Sequence, residues 1–461
     1  MLPSAALNLE RLLSLLRTGV LSAGELRSRL AMSPAAFSRL ISAAGDQVCR
    51  MGRGRAIKYG RLRSIMNLGS RLPIFRVGVA GEVSGAGELY LLSEGQHWWD
   101  RPAPGRVFAG LPPALADMAP QGYLGQGFSS RFPELQLPSR LSVWTDDHRL
   151  IALARRGEDC VGDLIVGDES LQRFLNWSPA EVTDREYPNR ARSAASAIQG
   201  SSAGGEFPKF GAFRNGRHVL VKFSSAEDSA AQRRWRDLLW CEFLALGLLA
   251  EAGRPAVHVE NLETDGWRFL EVERFDRVHE RGRRPVLTLS AIDNEYFGTS
   301  GTWSALVPKL VTAPFLLSPA DAAHVLWLDA FGQLIGNTDR HLGNLAFFVD
   351  PDETLRLASA YDMLPMILAP GGDLLVAREF KPAPPTTHNL SIWPDAAIWA
   401  TRYWQRVQSH SALQSDVRSY AGEAAAAITE LASRVSPSQE TAHAEQVHPG
   451  PAAAASSRVP S

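Results

Sequence analysis

Two aspartates and an asparagine form the pattern in this sequence that is best suited to chemistry. Asp339 precedes Asn344 by five residues, and Asp362 follows after a short strand-like stretch. Phosphoryl-transfer sites use this spacing: the first Asp orients an acceptor hydroxyl, and the Asn and second Asp hold Mg²⁺ against ATP phosphates. The pattern predicts a phosphotransferase with ATP and Mg²⁺ as cofactors, Asp339 as catalytic base, and Asn344 and Asp362 as metal ligands.

His341 lies inside the same loop, and two interpretations of it are open. An imidazole beside Asp339 could bind a transition metal, but no second His occurs at ligand spacing. The alternative, which we favour, is a His that braces the loop by hydrogen bonds next to the nucleotide. We therefore place His341 with the cofactor-binding residues.

A glycine-rich segment, residues 201–209, lies upstream of these residues. Its adjacent Gly204 and Gly205 allow backbone amides to approach phosphate oxygens closely. The spacing is neither a Walker A loop nor a complete Gly-x-Gly-x-x-Gly, so an ordinary surface turn is the competing interpretation. In the nucleotide-binding interpretation, Ser202, Gly204, Gly205 and Lys209 contact the phosphates.

Lys222 is one of only five lysines, against 43 arginines, and it lies in a strand-like run, Val219–Phe223. Kinases contact ATP phosphates with a strand Lys placed in this way, whereas an edge-strand Lys would point to solvent. Glu242 lies in a largely apolar helix predicted over 231–252, where an unpaired buried carboxylate is costly. We predict that Glu242 pairs with Lys222 and assign both to catalysis; the alternative places Glu242 on the solvent side.

The remaining core elements indicate an α+β fold of two lobes. A charged strand over 269–277 would join the lobes, and backbone groups of Glu273 and Phe275 would then pair with the adenine edge. Residues 181–310 are predicted to bind ATP, and residues 311–435 to form a helical catalytic lobe. The order of the elements supports this assignment more than any single motif.

The first seventy residues are basic, with eleven Arg and Lys against three acidic residues, and the remainder of the chain has a net charge of about −9. Three short helices are predicted, the second with a capping box at Ser22 and Glu25 and the third beginning at Ser33. A hairpin that turns near residues 52–54 follows. This order predicts a winged helix-turn-helix domain over residues 1–70.

Such a basic domain is expected to bind DNA. Ser38 and Arg39 would lie on the recognition helix, with Arg53, Arg55 and Lys58 on the wing, where Arg suits guanine edges or phosphates. A small helical interaction domain with a solvated basic face is the alternative.

The other segments carry less chemistry. Residues 71–180 are predicted to form a small mixed subdomain that ends in a helical segment over 164–177, and the Pro-, Ala- and Ser-rich residues 436–461 are predicted to be disordered. No apolar run is long enough to cross a membrane, and three scattered cysteines suit a reducing compartment. We expect a cytoplasmic protein.

Together these residues resemble the HipA family of bacterial serine/threonine kinase toxins. The matching segments are residues 202–209, 272–277, 337–344 and 361–365, within a similarity that covers most of residues 75–430. The resemblance implies a HipA-like protein kinase fold and a Gly-loop serine, Ser202, that autophosphorylates and switches the kinase off. It also implies a protein substrate, for which an aminoacyl-tRNA synthetase is one candidate, and a DNA-binding antitoxin as partner.

Three features depart from the family pattern. Gly343 stands where many members have Lys, and Glu206-Phe207 replaces a small and polar pair in the glycine-rich loop. The third departure is the N-terminal DNA-binding domain itself, which resembles the YjjJ-type subgroup.

Two other functions use the same residues. One is a DNA-binding transcriptional regulator whose kinase-like domain only senses nucleotide, although the complete set of Asp339, Asn344 and Asp362 argues against a lapsed active site. The other is a small-molecule phosphotransferase of the aminoglycoside-kinase kind. Its Asp usually follows a His-Gly pair, whereas Thr338 precedes Asp339 here.

Overall fold

The computed structural model of the protein describes residues 3–101, 105–197 and 207–435. Ser202, Gly204, Gly205 and the 436–461 tail, all named above, lie outside these residues, as does the side chain of Arg55.

The N-terminal part consists of three helices and a small antiparallel sheet. Its elements are α1 (Pro3–Leu15), β1 (Leu21–Ser22), α2 (Ala23–Leu30), α3 (Pro34–Ala44), β2 (Val48–Met51) and β3 (Lys58–Arg61), with strand order β1-β3-β2. The predicted capping box is present: the Ser22 hydroxyl accepts from the Glu25 amide at 3.2 Å, and the Glu25 carboxylate accepts from the Ser22 amide at 2.8 Å. Ser33 caps α3 with Pro34 in its first turn.

The described residues of the middle part form a five-stranded antiparallel sheet with five short helices. Its elements are β4 (Arg71–Val77), β5 (Val83–Leu91), β6 (His97–Asp100), β7 (Arg106–Phe108), α4 (Pro113–Met118), α5 (Gly122–Gln126), α6 (Phe128–Arg131), α7 (Asp146–Arg156), β8 (Leu164–Val166) and α8 (Asp168–Asn176). The strand order is β7-β6-β5-β4-β8. The predicted helix over 164–177 was wrong at its start. Leu164–Val166 is buried and pairs with β4, and the chain turns at Gly167 (φ 78°) before α8 begins.

The N-terminal hairpin packs directly against this sheet. Cys49 and Met51 on β2 form one buried apolar cluster with Leu92 and Trp98 of the middle part. A β-bridge between Leu62 and Leu92 continues the contact. One face of the hairpin is therefore covered, and the N-terminal part is fixed to the middle part.

In the ATP-binding part predicted from the sequence, the described residues form a four-stranded antiparallel sheet and one long helix. Its elements are α9 (Tyr187–Ser196), β9 (Lys209–Arg214), β10 (Arg217–Ser224), α10 (Ala230–Glu251), β11 (Val259–Thr264) and β12 (Trp267–Glu273), with order β11-β12-β10-β9. β10 is an inner strand and Lys222 on it is buried, so the alternative of an edge-strand Lys222 pointing to solvent was wrong.

The remaining elements form the helical lobe and its connections. They are β13 (Arg277–Val278), β14 (Gly282–Arg283), β15 (Val286–Thr288), α11 (Leu289–Ile292), α12 (Trp303–Leu310), α13 (Pro319–Leu334), β16 (Ala346–Val349), β17 (Leu355–Leu357), α14 (Trp393–Ser409) and α15 (Ser415–Val435). One large apolar core, which includes Trp303, Trp327, Trp393 and Trp404, extends from this lobe to α10. Across the described residues, no helix is both long and apolar enough to cross a bilayer. All three cysteines are free.

Candidate active site

Lys222 lies between two carboxylates that come from different lobes. Its Nζ donates to both oxygens of Glu242 on α10, at 2.6 and 2.7 Å, and to Oδ1 of Asp362. The side chain of Lys222 is 6% exposed and that of Glu242 is fully buried. The expected pair is therefore present, and it is extended by Asp362, a residue that the sequence places 140 positions away.

The charges of this triad stabilise one another against burial. Burial alone would lower the pKa of Lys222, but Asp362 and Glu242 outweigh it and raise that pKa above its usual value. Burial likewise opposes ionisation of Asp362, yet the Lys222 ammonium lowers the pKa of this carboxyl to about 2. Burial raises the pKa of Glu242, and Lys222 opposes that shift. Lys222 and Asp362 are therefore both charged at neutral pH.

A second lysine lies beside the first. Lys209 on β9 is the register partner of Lys222 on β10, so their side chains leave the sheet on the same face. The positive charge of Lys209 also lowers the pKa of Asp362. Two of the five lysines of the chain thus lie side by side, and their positive charges suit the binding of phosphate oxygens.

Two asparagines of the loop after α13, Asn337 and Asn344, hold its backbone in place by side-chain hydrogen bonds. The Asn337 side chain donates to the Asp362 carbonyl at 3.0 Å and accepts from the Asp339 amide at 3.1 Å. Asn344 donates through Nδ2 to the Asp339 carbonyl at 2.9 Å, so its Oδ1 points the other way across the amide plane. These bonds hold Asp339, Asn344 and Asp362 in one fixed arrangement.

His341 braces the loop. Its Nδ1 accepts from the Gly343 amide at 3.0 Å, and its carbonyl accepts from Nε1 of Trp303 at 3.1 Å. A Cβ on Gly343 would lie 2.9 Å from the imidazole ring, so Gly at this position allows the ring to sit as it does. The Tyr361 hydroxyl donates to the Gly343 carbonyl at 2.6 Å and links the loop to the Asp362 segment.

Asp362 has a left-handed backbone, φ 51°. A non-glycine residue in this region is strained by about 1–3 kcal/mol and persists only where its surroundings hold it. Here Lys222 binds its side chain and Asn337 binds its carbonyl. The strain therefore falls on the residue whose carboxylate binds Lys222.

The lobe-connecting segment has a clear arrangement. The Glu273 amide donates to the His258 carbonyl at 3.0 Å, and the Phe275 ring packs against Tyr361 at 5.6 Å between centroids. Next to it, Arg274 and Arg277 both bind Asp159 of the middle part at 2.9 Å. The predicted adenine contacts of Glu273 and Phe275 thus fall on a segment that the middle part fixes.

The donors present fit a magnesium–nucleotide complex better than a bare metal ion. Among the described residues, no three His, Cys, Asp or Glu side chains are grouped to hold a metal by themselves. Asp362 and Asn344 supply one carboxylate and one amide oxygen. Mg²⁺ is commonly bound by one or two such ligands together with phosphates and water. These two residues would therefore hold Mg²⁺ only together with ATP.

The predicted DNA-binding residues are placed separately from this site. Ser38 and Arg39 on α3 and Arg53 and Lys58 on the hairpin are all exposed, and Ser38 and Arg39 lie on the face of α3 opposite buried Phe37 and Leu40.

Several residues of the site were not predicted. The sequence predicted no role for Asn337, Trp303 or Tyr361. Asp117 of α4 was also missed, although both of its oxygens accept hydrogen bonds from Thr288 beside the loop. Only Asn337 carried a sequence signal, because its place two residues before Asp339 suits a side chain that caps the loop.

Comparisons with known proteins agree with this architecture. A model of the middle domain of YjjJ-like toxins matches residues 68–175, and a model of the HipA-like C-terminal domain matches residues 201–437. A chain of the Shewanella oneidensis MR-1 toxin–antitoxin complex of HipA, HipB and operator DNA has a TM-score of 0.50 at 16% identity, covering 79% of this chain and 97% of that chain. The chain therefore belongs to the HipA-like proteins.

The nearer relationship is to one branch of that family. Toxin YjjJ of Escherichia coli K12 is 32% identical over 455 residues, 93% of this chain and 99% of the relative. With the match to the middle domain, this identity makes the protein a YjjJ-like member of the family. The proinflammatory kinase CtkA of Helicobacter pylori is a more distant structural neighbour, with 13% identity and a TM-score of 0.36 over 51% of this chain and 92% of its own.

Proposed function

We propose that the protein is an ATP- and Mg²⁺-dependent kinase that phosphorylates serine or threonine hydroxyls of a protein substrate. The observation that carries the proposal is the bonding of Lys222 to Glu242 and Asp362 across the two lobes. A buried lysine held in this way presents a fixed positive charge to phosphates, and the fixed Asp339 loop lies next to the same Asp362.

Each residue has a role in this proposal. Lys222, oriented by Glu242, and Lys209 bind phosphate oxygens, and Glu273 and Phe275 offer backbone groups to adenine. Asn344 and Asp362 hold Mg²⁺, which would offset the charge on the phosphates. Asp339 orients the acceptor hydroxyl and receives its proton, and His341 keeps the loop in shape. The glycine-rich segment with Ser202, Gly204 and Gly205 would cover the phosphates.

Transfer of ³²P from γ-labelled ATP by the purified full chain tests the proposal. Asp339→Ala and Asp362→Ala should each abolish labelling of proteins in a dephosphorylated lysate, because one removes the base and the other a metal ligand. Glu423→Gln, an exposed carboxylate on α15, is the matched control and should label as the wild type does. Undiminished labelling by the two aspartate variants would refute the kinase assignment.

The family membership supports a toxin role for this kinase. We propose that it inhibits growth by phosphorylating a translation component, of which an aminoacyl-tRNA synthetase is one candidate, and that an antitoxin restrains it. Phosphorylation of Ser202 would switch it off. Phosphoproteomics of cells expressing the wild type beside Asp339→Ala should reveal the substrate, and Ser202→Ala should prolong growth inhibition.

A second proposed function, DNA binding, rests on the exposed positions of Ser38, Arg39, Arg53 and Lys58. The three helices and hairpin of the N-terminal part suit a winged helix-turn-helix, with Arg55 also on the wing. Because Met51 and Cys49 pack on the middle part, binding should be measured on the full chain. Its affinity for duplex DNA should fall steeply with salt as phosphate contacts release counterions. A flat salt dependence would exclude this function.

The two proposals can be separated from a regulator that only senses nucleotide. Such a protein would bind ATP and DNA without transferring phosphate to any protein, including itself at Ser202. Labelled product from the wild type, lost in Asp339→Ala, excludes that alternative.

A further inference from the structure

A pocket of about 270 Å³ opens at the side of the catalytic loop, and none of the roles proposed above uses it. Thr338 and Arg340, the neighbours of Asp339 on either side, line it. Its other wall comes from the segment that follows Asp362 and includes Ile367, Phe380 and Ala383.

The walls of the pocket are held in place before anything binds. The Ile367 amide donates to the Gly336 carbonyl at 2.9 Å, and the Phe380 ring packs on Trp404 at 5.8 Å between centroids. The Ala383 carbonyl accepts from Nε1 of Trp393 at 3.1 Å. A pocket with fixed walls loses little conformational freedom on binding.

The lining has a definite chemical character. Ile367, Phe380 and Ala383 make an apolar floor, and none of the described lining residues is an Asp or Glu. Arg340 is already ion-paired with buried Asp329 at 3.2 Å, so Lys381 is the lining cation that remains open to a ligand. The Lys381 side chain is 78% exposed, and its ion pair with the equally exposed Glu379 contributes little. The lining thus complements an apolar side chain beside a negative charge.

The position of the pocket relates its occupant to the acceptor hydroxyl. Thr338 and Arg340, which line the pocket, are the chain neighbours of Asp339. Because consecutive Cα atoms are about 3.8 Å apart, the pocket begins one residue away from Asp339. An extended polypeptide advances about 3.3 Å per residue. A side chain in the pocket and a hydroxyl at Asp339 can therefore belong to one extended segment, within about three residues of each other.

An exposed apolar turn lies in the same chain segment, between Ile367 and Phe380 of the pocket wall. Leu374, Leu375 and Val376 are 72%, 42% and 44% exposed, in a turn where the Gly371 amide donates to the Leu374 carbonyl at 2.9 Å. Large apolar side chains exposed side by side are typical of a surface that binds a partner.

We propose that this pocket selects the substrate: it binds an extended segment of the protein substrate that carries an apolar residue within about three positions of the phosphorylated hydroxyl and an acidic residue next to it. Lys381 and the floor around Ala383 are the specificity-determining features. The inference rests on the proposed kinase activity and adds the sequence preference of its substrate.

The test uses the full chain, γ-labelled ATP and a library of synthetic peptides with one central serine, in which each flanking position is varied in turn. The wild type should prefer a large apolar residue at one position within three of the serine, with Asp or Glu favoured beside it. Lys381→Glu should reverse the acidic preference by about fivefold, as one exposed charge pair allows. Arg434→Glu, an exposed charge reversal on α15, should leave it unchanged.

A second variant tests the floor. Ala383→Leu fills the pocket, so labelling of peptides with a large apolar residue should fall about tenfold or more relative to those with alanine there. Flat preferences in the wild type, or preferences that neither variant alters, would overturn the inference while the kinase assignment stands. Failure of the wild type to label either the peptides or a dephosphorylated lysate would instead refute the kinase assignment, and the inference with it.

Discussion

Asp117 of the middle part accepts two hydrogen bonds from Thr288, one from its amide at 2.5 Å and one from its hydroxyl at 2.7 Å. Thr288 is the N-cap of α11, and the next residue, Leu289, donates its amide to the carbonyl of Leu345 at 2.8 Å. Leu345 directly follows Asn344. The middle part is therefore connected to the catalytic loop by a short chain of hydrogen bonds, in addition to its contact with the lobe-connecting segment through Asp159.

This contact should make stability depend on pH. Burial raises the pKa of Asp117 to about 6, although the hydrogen bonds from Thr288 oppose the shift. In the unfolded chain the pKa of an Asp is about 4. Between these values the folded state binds more protons, so the free energy of unfolding falls as pH rises from 4 to 6 and this contribution is constant above. The expected change is on the order of 2 kcal/mol.

Urea unfolding of the wild type and of Asp117→Asn across pH 4–7 measures this change in the free energy of unfolding. The difference in the free energy of unfolding between the two proteins should change between pH 4 and 6. Glu423→Gln, which removes an exposed carboxylate, should show the pH dependence of the wild type. An unchanged slope in Asp117→Asn would mean that Asp117 ionises normally.

The Lys222 triad should be costly to break from one side. Lys222→Met leaves Glu242 as a buried carboxylate without its partner, which should destabilise the protein by about 3–5 kcal/mol. Lys222→Met combined with Glu242→Leu should regain much of that loss, because no unpaired charge remains at residue 242. Both variants should lack phosphotransfer, whereas exposed Lys381→Met should unfold as the wild type does. Equal stability of the single and double variants would contradict this account of the triad.

Gly343 and His341 should be coupled. A Cβ at residue 343 would lie 2.9 Å from the imidazole, so Gly343→Ala should displace the ring and lower kcat by about tenfold, roughly 1.4 kcal/mol in barrier. When His341 is replaced by Ala, the methyl group added at residue 343 has no ring to displace. Gly343→Ala should therefore lower kcat much less in the His341→Ala background. Additive effects in this double-mutant cycle would show that the two residues act independently.

The N-terminal part should loosen when its contact with the middle part is truncated. Leu92 is 1% exposed, and its side chain lies against Gly60 and in one cluster with Met51. Leu92→Ala should lower the free energy of unfolding by about 2–5 kcal/mol and make the 48–62 region more sensitive to limited proteolysis. Leu390→Ala, at an exposed site, is the control. Unchanged proteolysis would mean that the cluster does not hold the two parts together.

Local features of the fold were predicted well from the sequence. The capping box of Ser22 and Glu25 and the proline start of α3 depend on neighbouring residues only, and both are present as expected. The Lys222–Glu242 pair was predictable because an inner apolar helix leaves a carboxylate few other partners. The failure at Leu164–Val166 has a physical reason as well: three apolar residues in a row suit a helix or a strand, and pairing with β4 decided between them.

By itself, the sequence determined which groups are available and how they are spaced along short stretches, because spacing and capping are properties of neighbouring residues. Asp339, Asn344 and Asp362 were recognisable on that basis. Only the tertiary structure decided that Asp362 shares Lys222 with Glu242, that Asn337 and Tyr361 tie two loops together, and that Asp117 reaches Thr288 from 171 residues away. Such contacts depend on how whole lobes pack, and burial then changes the charge preferences of the residues that they bring together.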